Sequence, residues 1–463
     1  MEHSATRRRL ASTTENAWCR ALPGGTGTGI LALSSTEPPS LQRFEHALHK
    51  LQNSHPVLKS KLHFNHTSST FSFLTSPTPF VQLKIFGIPE TSKILLNDQN
   101  AVDGNLSISP FQILLERELN DNTAWRSLNS SGSDAAADIL FVNLYEVGIG
   151  KWVAIFRLHV AACDRTTAVS LLEELLVLMT SDGGGGGEKK WEVERGLEEL
   201  VPRNLMKKPL LARGLNMLSH SVNSFRLTNL KFKDVKSARR SQLARFQINQ
   251  TETHKILSEC KLRGIKLSSV LVAAGLVAAH SSGSHGFDRH HHRKYGIITL
   301  VDCRRFLEPP LTSHDFGFYH AAIFNSYTIK GGEDLWELAE RVSTTVEASK
   351  NSNKHFTDMS DLNFLMCRAI ENPNLTASGA MRTSLMTIFE DTVFDNSGGM
   401  QKDIGINDYV GCASIHGIGP SAAMFDSVRN GRLDCSCIYP SPLHSRDQME
   451  ALLTNIKTLL VKG

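Results

Sequence analysis

The chain has 463 residues, of which 41% are hydrophobic and 21% charged. That supplies one large core or two of about 200 residues each, and excludes a disordered or fibrous protein. The formal net charge of +4 is small for this length, and the basic runs at 7–9 and 237–245 ("SARRSQLAR") are short and scattered, so no nucleic-acid partner is expected. The longest strongly apolar run, "VLVAAGLVAA" at 270–279, is about half the length of a membrane-spanning helix, so no span is expected.

The three N-terminal arginines have no apolar stretch behind them, which argues against a secretory signal. The first twenty residues carry arginine and Ser/Thr as an organelle-targeting segment does, but Glu2 and Glu15 count against that reading. A cytoplasmic location is the expectation. Cysteines stand at 19, 163, 260, 303, 367, 412, 435 and 437, too dispersed for a disulfide framework. Cys435 and Cys437 share one face of a strand without a histidine or cysteine cluster beside them, so buried thiols are expected and no metal site.

In chain order, "SLQRFEHALHKLQNSHP" places Leu41, Phe44, Leu48 and Leu51 at helical spacing, with Ser40 as N-cap and Pro56 beyond the end. "TFSFLTSPTPFVQLKIF", "ADILFVNLYEV" and "KWVAIFRLH" read as strands. "DRTTAVSLLEELLVLM" is a helix with Val169, Leu172, Leu176 and Met179 on one face. The consecutive glycines of "SDGGGGGEKK" at 181–190 break both helix and strand, and the charged stretch after them reads as a crossover with a short helix. This gives an N-terminal subdomain over 1–180, a linker and crossover over 181–230, and a C-terminal subdomain over 231–463.

The second half repeats the ingredients of the first. "ETHKILSECKLRG" is a helix closed by Gly264, and "KLSSVLVAAGLVAAHSS", capped by Ser268 or Ser269, is apolar nearly all round and therefore buried. "KYGIITLVDC", "FYHAAIFNSYTI" and "GRLDCSCIYP" are strands, and "GEDLWELAERVSTTVEAS" is an amphipathic helix. A final helix opens with a capping box of Ser445 and Gln448 and carries Met449, Leu452, Leu453, Ile456, Leu459 and Leu460 on its face. The fold expected is α/β, two subdomains of mixed sheet covered by helices.

The candidate chemistry sits at "FRLHVAACDRTTAVSLLEELL". His159 ends a strand before small residues that leave room for a ligand, and a neutral imidazole there is placed to deprotonate an alcohol or amine. Asp164 opens the next helix. The residues alone leave a second reading open, with His159 as a hydrogen-bonded core histidine and Asp164 as an N-cap. Cys163 has no clear activating base and reads as a small buried apolar residue. "HGIGPS" at 416–421 is either a tight loop between strands or a turn whose amides hold an anion. "DRHHHRKYG" at 288–296 reads as a loop, since consecutive histidines cannot converge on one metal. "DFG" at 315–317 lacks the glycine-rich loop and His-Arg-Asp motif of a kinase.

Four segments carry a resemblance: "LQNSHPVLKSKLHF" at 51–64, "LVDCRRFLEPP" at 300–310, "DFGFYHAAIFNSY" at 315–327, and the closing "GRLDCSCIYPSPLHSRDQMEALL". In order and spacing they resemble the superfamily of CoA-dependent acyltransferases with the chloramphenicol acetyltransferase-like fold. That superfamily includes peptide-synthetase condensation domains, wax ester synthases and plant BAHD acyltransferases; the chain looks like its plant condensation-domain-like members. The resemblance implies two such subdomains with a tunnel between them and His159 near its middle. The family motif is a histidine doublet, three residues and Asp-Gly, with the second histidine as general base. Anchored on Asp164, the doublet falls on His159 and Val160, and the glycine falls on Arg165. The resemblance also implies that Asp164 is structural and pairs with Arg304, or with Arg305.

Two functions therefore stand side by side. One is an acyltransferase that uses acyl-CoA as co-substrate, with no other cofactor, to acylate a hydroxyl or amine of a small molecule. Its base is His159 displaced by one residue, or else His320 in "GFYHAAIF" or His416 in "SIHGIGPS". The other is a catalytically inactive relative that binds a ligand or a protein partner. A monomer is expected in either case.

Overall fold

A computed structural model describes residues 6–99, 108–129, 135–180, 195–206, 227–283 and 292–463. The glycine run at 181–190 and most of the histidine run at 288–291 lie outside the described residues. Two large sheets and one small one are built from alternating strands and helices, as the expected α/β class requires.

The small sheet has the order β1 (Arg7–Leu10), β4 (Thr70–Thr75), β3 (Ser60–Asn65) and β6 (Ala136–Asp138). The second runs β14 (Ile406–Ile415), β2 (Thr26–Ser35), β8 (Lys151–His159), β7 (Leu140–Gly148) and β5 (Gln82–Phe86), antiparallel except for the β5–β7 pair. The third runs β11 (His320–Ile329), β10 (Arg293–Asp302), β12 (Arg382–Phe389), β15 (Gly419–Arg429), β16 (Arg432–Ser441) and β9 (Arg240–Ile248), with β13 (Val393–Asp395) beside β15. β10, β12 and β15 are parallel neighbours, and the other pairs along that path are antiparallel.

β14 comes from the C-terminal half of the chain yet pairs with β2 from Ser35 to Thr26. A joint core forms where these sheets meet, with Ile30, Ile155 and Val410 packed together with Leu243, Ala423 and Ile438. The second interior belongs to the helix Leu267–Ser282, whose buried residues run all round its circumference, between the third sheet and the helices Leu335–Asn351 and Arg446–Lys462.

Caps follow the sequence with adjustments. Ser40 is the N-cap of the helix Leu41–Ser54, but its hydroxyl makes no cap bond. The helix Leu267–Ser282 has Lys266 at its N-cap rather than a serine, because Ser268 spends its hydroxyl on the Glu390 carbonyl at 2.7 Å. Gly264 closes the preceding helix in the left-handed conformation, φ 65°. Ser445 accepts the Gln448 amide, whereas the Gln448 side chain donates to the Lys231 carbonyl, so only half of the capping box forms. Among the described residues no single helix is long and apolar enough to cross a membrane.

Candidate active site

A cavity of about 480 Å³ lies between the second and third sheets. β2 and β8 supply Gly29, Ile30 and Leu158 to its wall, and β10 and β11 supply Ile298, Leu300, His320, Ala322 and Phe324. The helix Met359–Glu371 lies over it with Leu362, Leu365 and Met366.

Strand geometry decides which histidine reaches this space. Side chains alternate along a strand, and at the end of β8 Leu158 and then Val160 line the cavity while His159 between them does not. His159 is 1% exposed, and its ring stands edge-on to Trp125 at 5.4 Å in the packing of the small sheet. Nδ1 accepts the Ala161 amide at 3.1 Å, which leaves the proton of the neutral ring on Nε2, an atom with no partner among the described residues. Burial pushes its pKa down to about 3. The expectation that His159 faces a tunnel is corrected on this geometry: the position the resemblance gives to the base is on the cavity wall, but it is held by Val160.

Asp164 is 4% exposed and fully engaged. Arg304 meets it with two parallel bonds, Nη1 to Oδ2 at 2.9 Å and Nη2 to Oδ1 at 3.0 Å, while the Thr167 amide donates to Oδ1 and the Tyr319 amide to Oδ2, both at 2.9 Å. Asp164 is thus both helix N-cap and ion-pair partner, so the two readings of it coincide. Burial alone would raise its pKa, but Arg304 and His320 overcome that and hold the carboxyl well below the usual carboxylate range. Arg304 also bonds Asp302 and the Asp315 carbonyl, whereas Arg305 is exposed and stacks on Phe306.

His320 opens β11 from the opposite half of the molecule. Its Nδ1 lies 2.9 Å from Asp164 Oδ2 and its ring stands edge-on to Phe389 at 5.3 Å. A carboxylate can only accept, so Nδ1 carries a proton, and in the neutral ring Nε2 holds the lone pair, on a residue that borders the cavity. The structure therefore brings Asp164, Arg304 and His320 together and leaves His159 and His416 apart from them.

His416 is not part of the cavity wall. It follows β14, with Nδ1 3.1 Å from the Ser241 hydroxyl, and its ring sits where a Cβ on Gly25 (φ 101°) would overlap Nε2 at 1.9 Å. Burial, then Arg382 and Arg239, pushes its pKa down to about 4. The anion-holding reading of "HGIGPS" is corrected as well. The His416 amide donates to the Gly25 carbonyl and the Gly419 amide to the Met381 carbonyl, each at 3.1 Å. The carbonyls of Ile415, Gly417 and Pro420 instead converge on the guanidinium of Arg382.

Arg165, at the motif's glycine position, borders the cavity but does not fill it. It stacks over Phe389 at 4.6 Å, donates to the Asp391 carbonyl at 3.0 Å, and reaches the carbonyl and carboxylate of Asp426. Cys163 is buried and its thiol is pushed up in pKa by that burial, so it is no ready nucleophile. No group of three or more His, Cys, Asp or Glu among the described residues could hold a metal. The sequence reading missed the helix Met359–Glu371 and Arg382 as cavity residues. The first carries a signal in the helical spacing of Met359, Leu362, Leu365, Met366 and Ala369.

Residues 237–350 match the family model of the phthiocerol/phthiodiolone dimycocerosyl transferase C-terminus. No curated protein matches the chain in sequence. Solved structures match it over nearly its whole length. Polyketide synthase associated protein 5 from Mycobacterium tuberculosis aligns with 98% of this chain and 97% of its own, at TM-score 0.66 and 15% identity. The TRI3 trichothecene 15-O-acetyltransferase from Fusarium sporotrichioides aligns with 98% and 94%, at TM-score 0.68 and 12% identity. The condensation domain of the monacolin K polyketide synthase MokA aligns with 99% and 98%, at TM-score 0.60 and 11% identity. The fold, mixed sheets covered by helices, is thus the one these acyltransferase and condensation-domain structures share.

Proposed function

We propose that the chain is an acyltransferase that moves an acyl group from a thioester, with acyl-CoA as co-substrate, to a hydroxyl or amine of a small molecule, and that His320 is its general base. The observation that carries this reading is the 2.9 Å contact between His320 Nδ1 and Asp164 on the wall of the cavity. Asp164 fixes the tautomer, and Arg304 keeps Asp164 ionised. Nε2 takes the acceptor's proton as its oxygen or nitrogen attacks the thioester carbonyl. The tetrahedral intermediate then collapses, the carbon–sulfur bond breaks, and the proton passes to the departing thiolate. A base of this kind contributes roughly 10²–10⁴-fold to the rate. The acyltransferases among the structural relatives support the reading at the level of fold.

One observation favours a second reading, a catalytically inactive protein that binds a ligand or partner: valine stands at 160, where the resemblance places the base. Thiol release from a panel of acyl-CoA thioesters, with mixed alcohol and amine acceptors, separates the two. His320→Gln keeps a donor for Asp164 and is expected to lose roughly 10²–10⁴-fold in turnover, whereas His159→Leu is expected to turn over like wild type. An equal loss in both variants would remove His320 from the base position, and a wild type that releases no thiol from any donor would favour the binding protein.

A further inference from the structure

Arg382 is 6% exposed and opens β12 at the end of the cavity away from His320. Its Nε donates to the Ala380 carbonyl, and its two terminal nitrogens to the carbonyls of Ile415, Gly417 and Pro420. Carbonyl dipoles satisfy N–H groups but cancel no charge, and among the described residues no carboxylate pairs with it. The groups that face it are also basic. Arg239 donates to the Ala380 carbonyl beside it, while His416 and His444 are held neutral by burial and by these arginines, with pKa values down to about 4 and about 3. A buried guanidinium without a counter-charge is costly unless something supplies one.

The cavity offers the route by which an anion arrives. His320 stands edge-on to Phe389 at the far end of β12, and the length of that strand from Arg382 to Phe389 is about 23 Å at about 3.3 Å per residue. The wall between is mostly apolar, with Ile298, Phe324, Leu362, Leu365 and Met366 along it and Thr383, Thr387 and Asn363 as polar points. We propose that the cavity holds an elongated apolar ligand bearing one anionic group, and that Arg382 receives that group while the chain of the ligand runs toward His320. The inference rests on the cavity being a substrate site, as proposed above, but not on acyl transfer taking place there.

The test titrates the purified full-length protein with palmitate, hexadecyl phosphate and 1-hexadecanol, each kept below its micelle concentration, with binding read by calorimetry. At least one of the two anions is expected to bind about tenfold more tightly than the alcohol, and the tighter of the two identifies the group as carboxylate or phosphate. Arg382→Gln is expected to bring the anions to the alcohol's affinity and to leave the alcohol unchanged. If that variant does not fold, Arg239→Gln, which keeps the Arg382 carbonyl bonds, is expected to reduce the same preference. Wild type that binds the alcohol as well as both anions, that binds none of the three, or whose preference survives in the folded variant overturns the inference. Anion-selective binding by a protein that releases no thiol sustains it and ends the catalytic reading. Turnover without a preference for anionic substrates does the reverse.

Discussion

At the scale of single residues, Asp164 carries most of the weight. It accepts from Arg304, Thr167, Tyr319 and His320, which tie the start of one helix to two segments of the opposite half. Asp164→Asn leaves the buried Arg304 with Asp302 as its remaining carboxylate, so a loss of about 3 kcal/mol is expected in denaturant unfolding, at the low end for a broken buried pair. Because the folded-state pKa of Asp164 is depressed, its contribution is complete above the unfolded value of about 3.9 and disappears as pH falls below it. The gap between wild type and variant should therefore close in acid. His159 titrates in the same sense from a higher starting point. Its pKa falls from 6.5 in the unfolded chain to about 3 in the fold, so protonation of the unfolded state removes about 2 kcal/mol between pH 7 and pH 5. His159→Leu should unfold with a flatter pH profile below 6.5, and an unchanged profile would mean that the imidazole takes up its proton without unfolding. Of this site, the Asp164–Arg304 pair was legible through the family resemblance. His320 was legible only as an alternative, because one histidine in a strand has no spacing to read. His159 drew attention for its neighbours in sequence, although alternation along β8 already assigns Leu158 and Val160 to one side and His159 to the other.

At the scale of elements, helices with one apolar stripe were the easiest to foresee, since period and caps agree, as in Leu41–Ser54 and Arg446–Lys462. β12 was not foreseen, because polar residues fall on both of its faces, Arg382 and Ser384 on one and the cavity-lining Thr383 and Thr387 on the other, so no apolar period of two marks it. With it went Arg382. The halves are also held by a side-chain bond that no local pattern announces: Arg446, in the last helix, places Nη2 2.9 Å from both oxygens of Glu116, in the helix Pro110–Leu119. Glu116 further accepts the Leu243 amide at 3.1 Å. Glu116→Leu should cost about 3–5 kcal/mol by stranding the buried Arg446, and adding Arg446→Met should recover much of that loss. Equal midpoints for single and double variants in urea would show that the backbone bond, and not the ion pair, is what matters there.

At the scale of the whole molecule, the two-half α/β architecture was legible from the alternation of helices and strands. The exchange of β14 was not, since its partner β2 lies hundreds of residues away and nothing within 406–415 names it. That exchange sets an order of events during synthesis. While the ribosome is still making the middle of the protein, β2 has β8 on one side and an open edge on the other, the kind of edge that recruits neighbouring chains. A fragment ending at residue 236 should accordingly aggregate, and co-expression with 237–463 should restore soluble material, as sedimentation of the two preparations would show. A nascent chain likewise has no complete cavity until Cys412, Ala413 and Ser414 have emerged to line it, so the proposed ligand would be met only by protein whose translation is nearly finished.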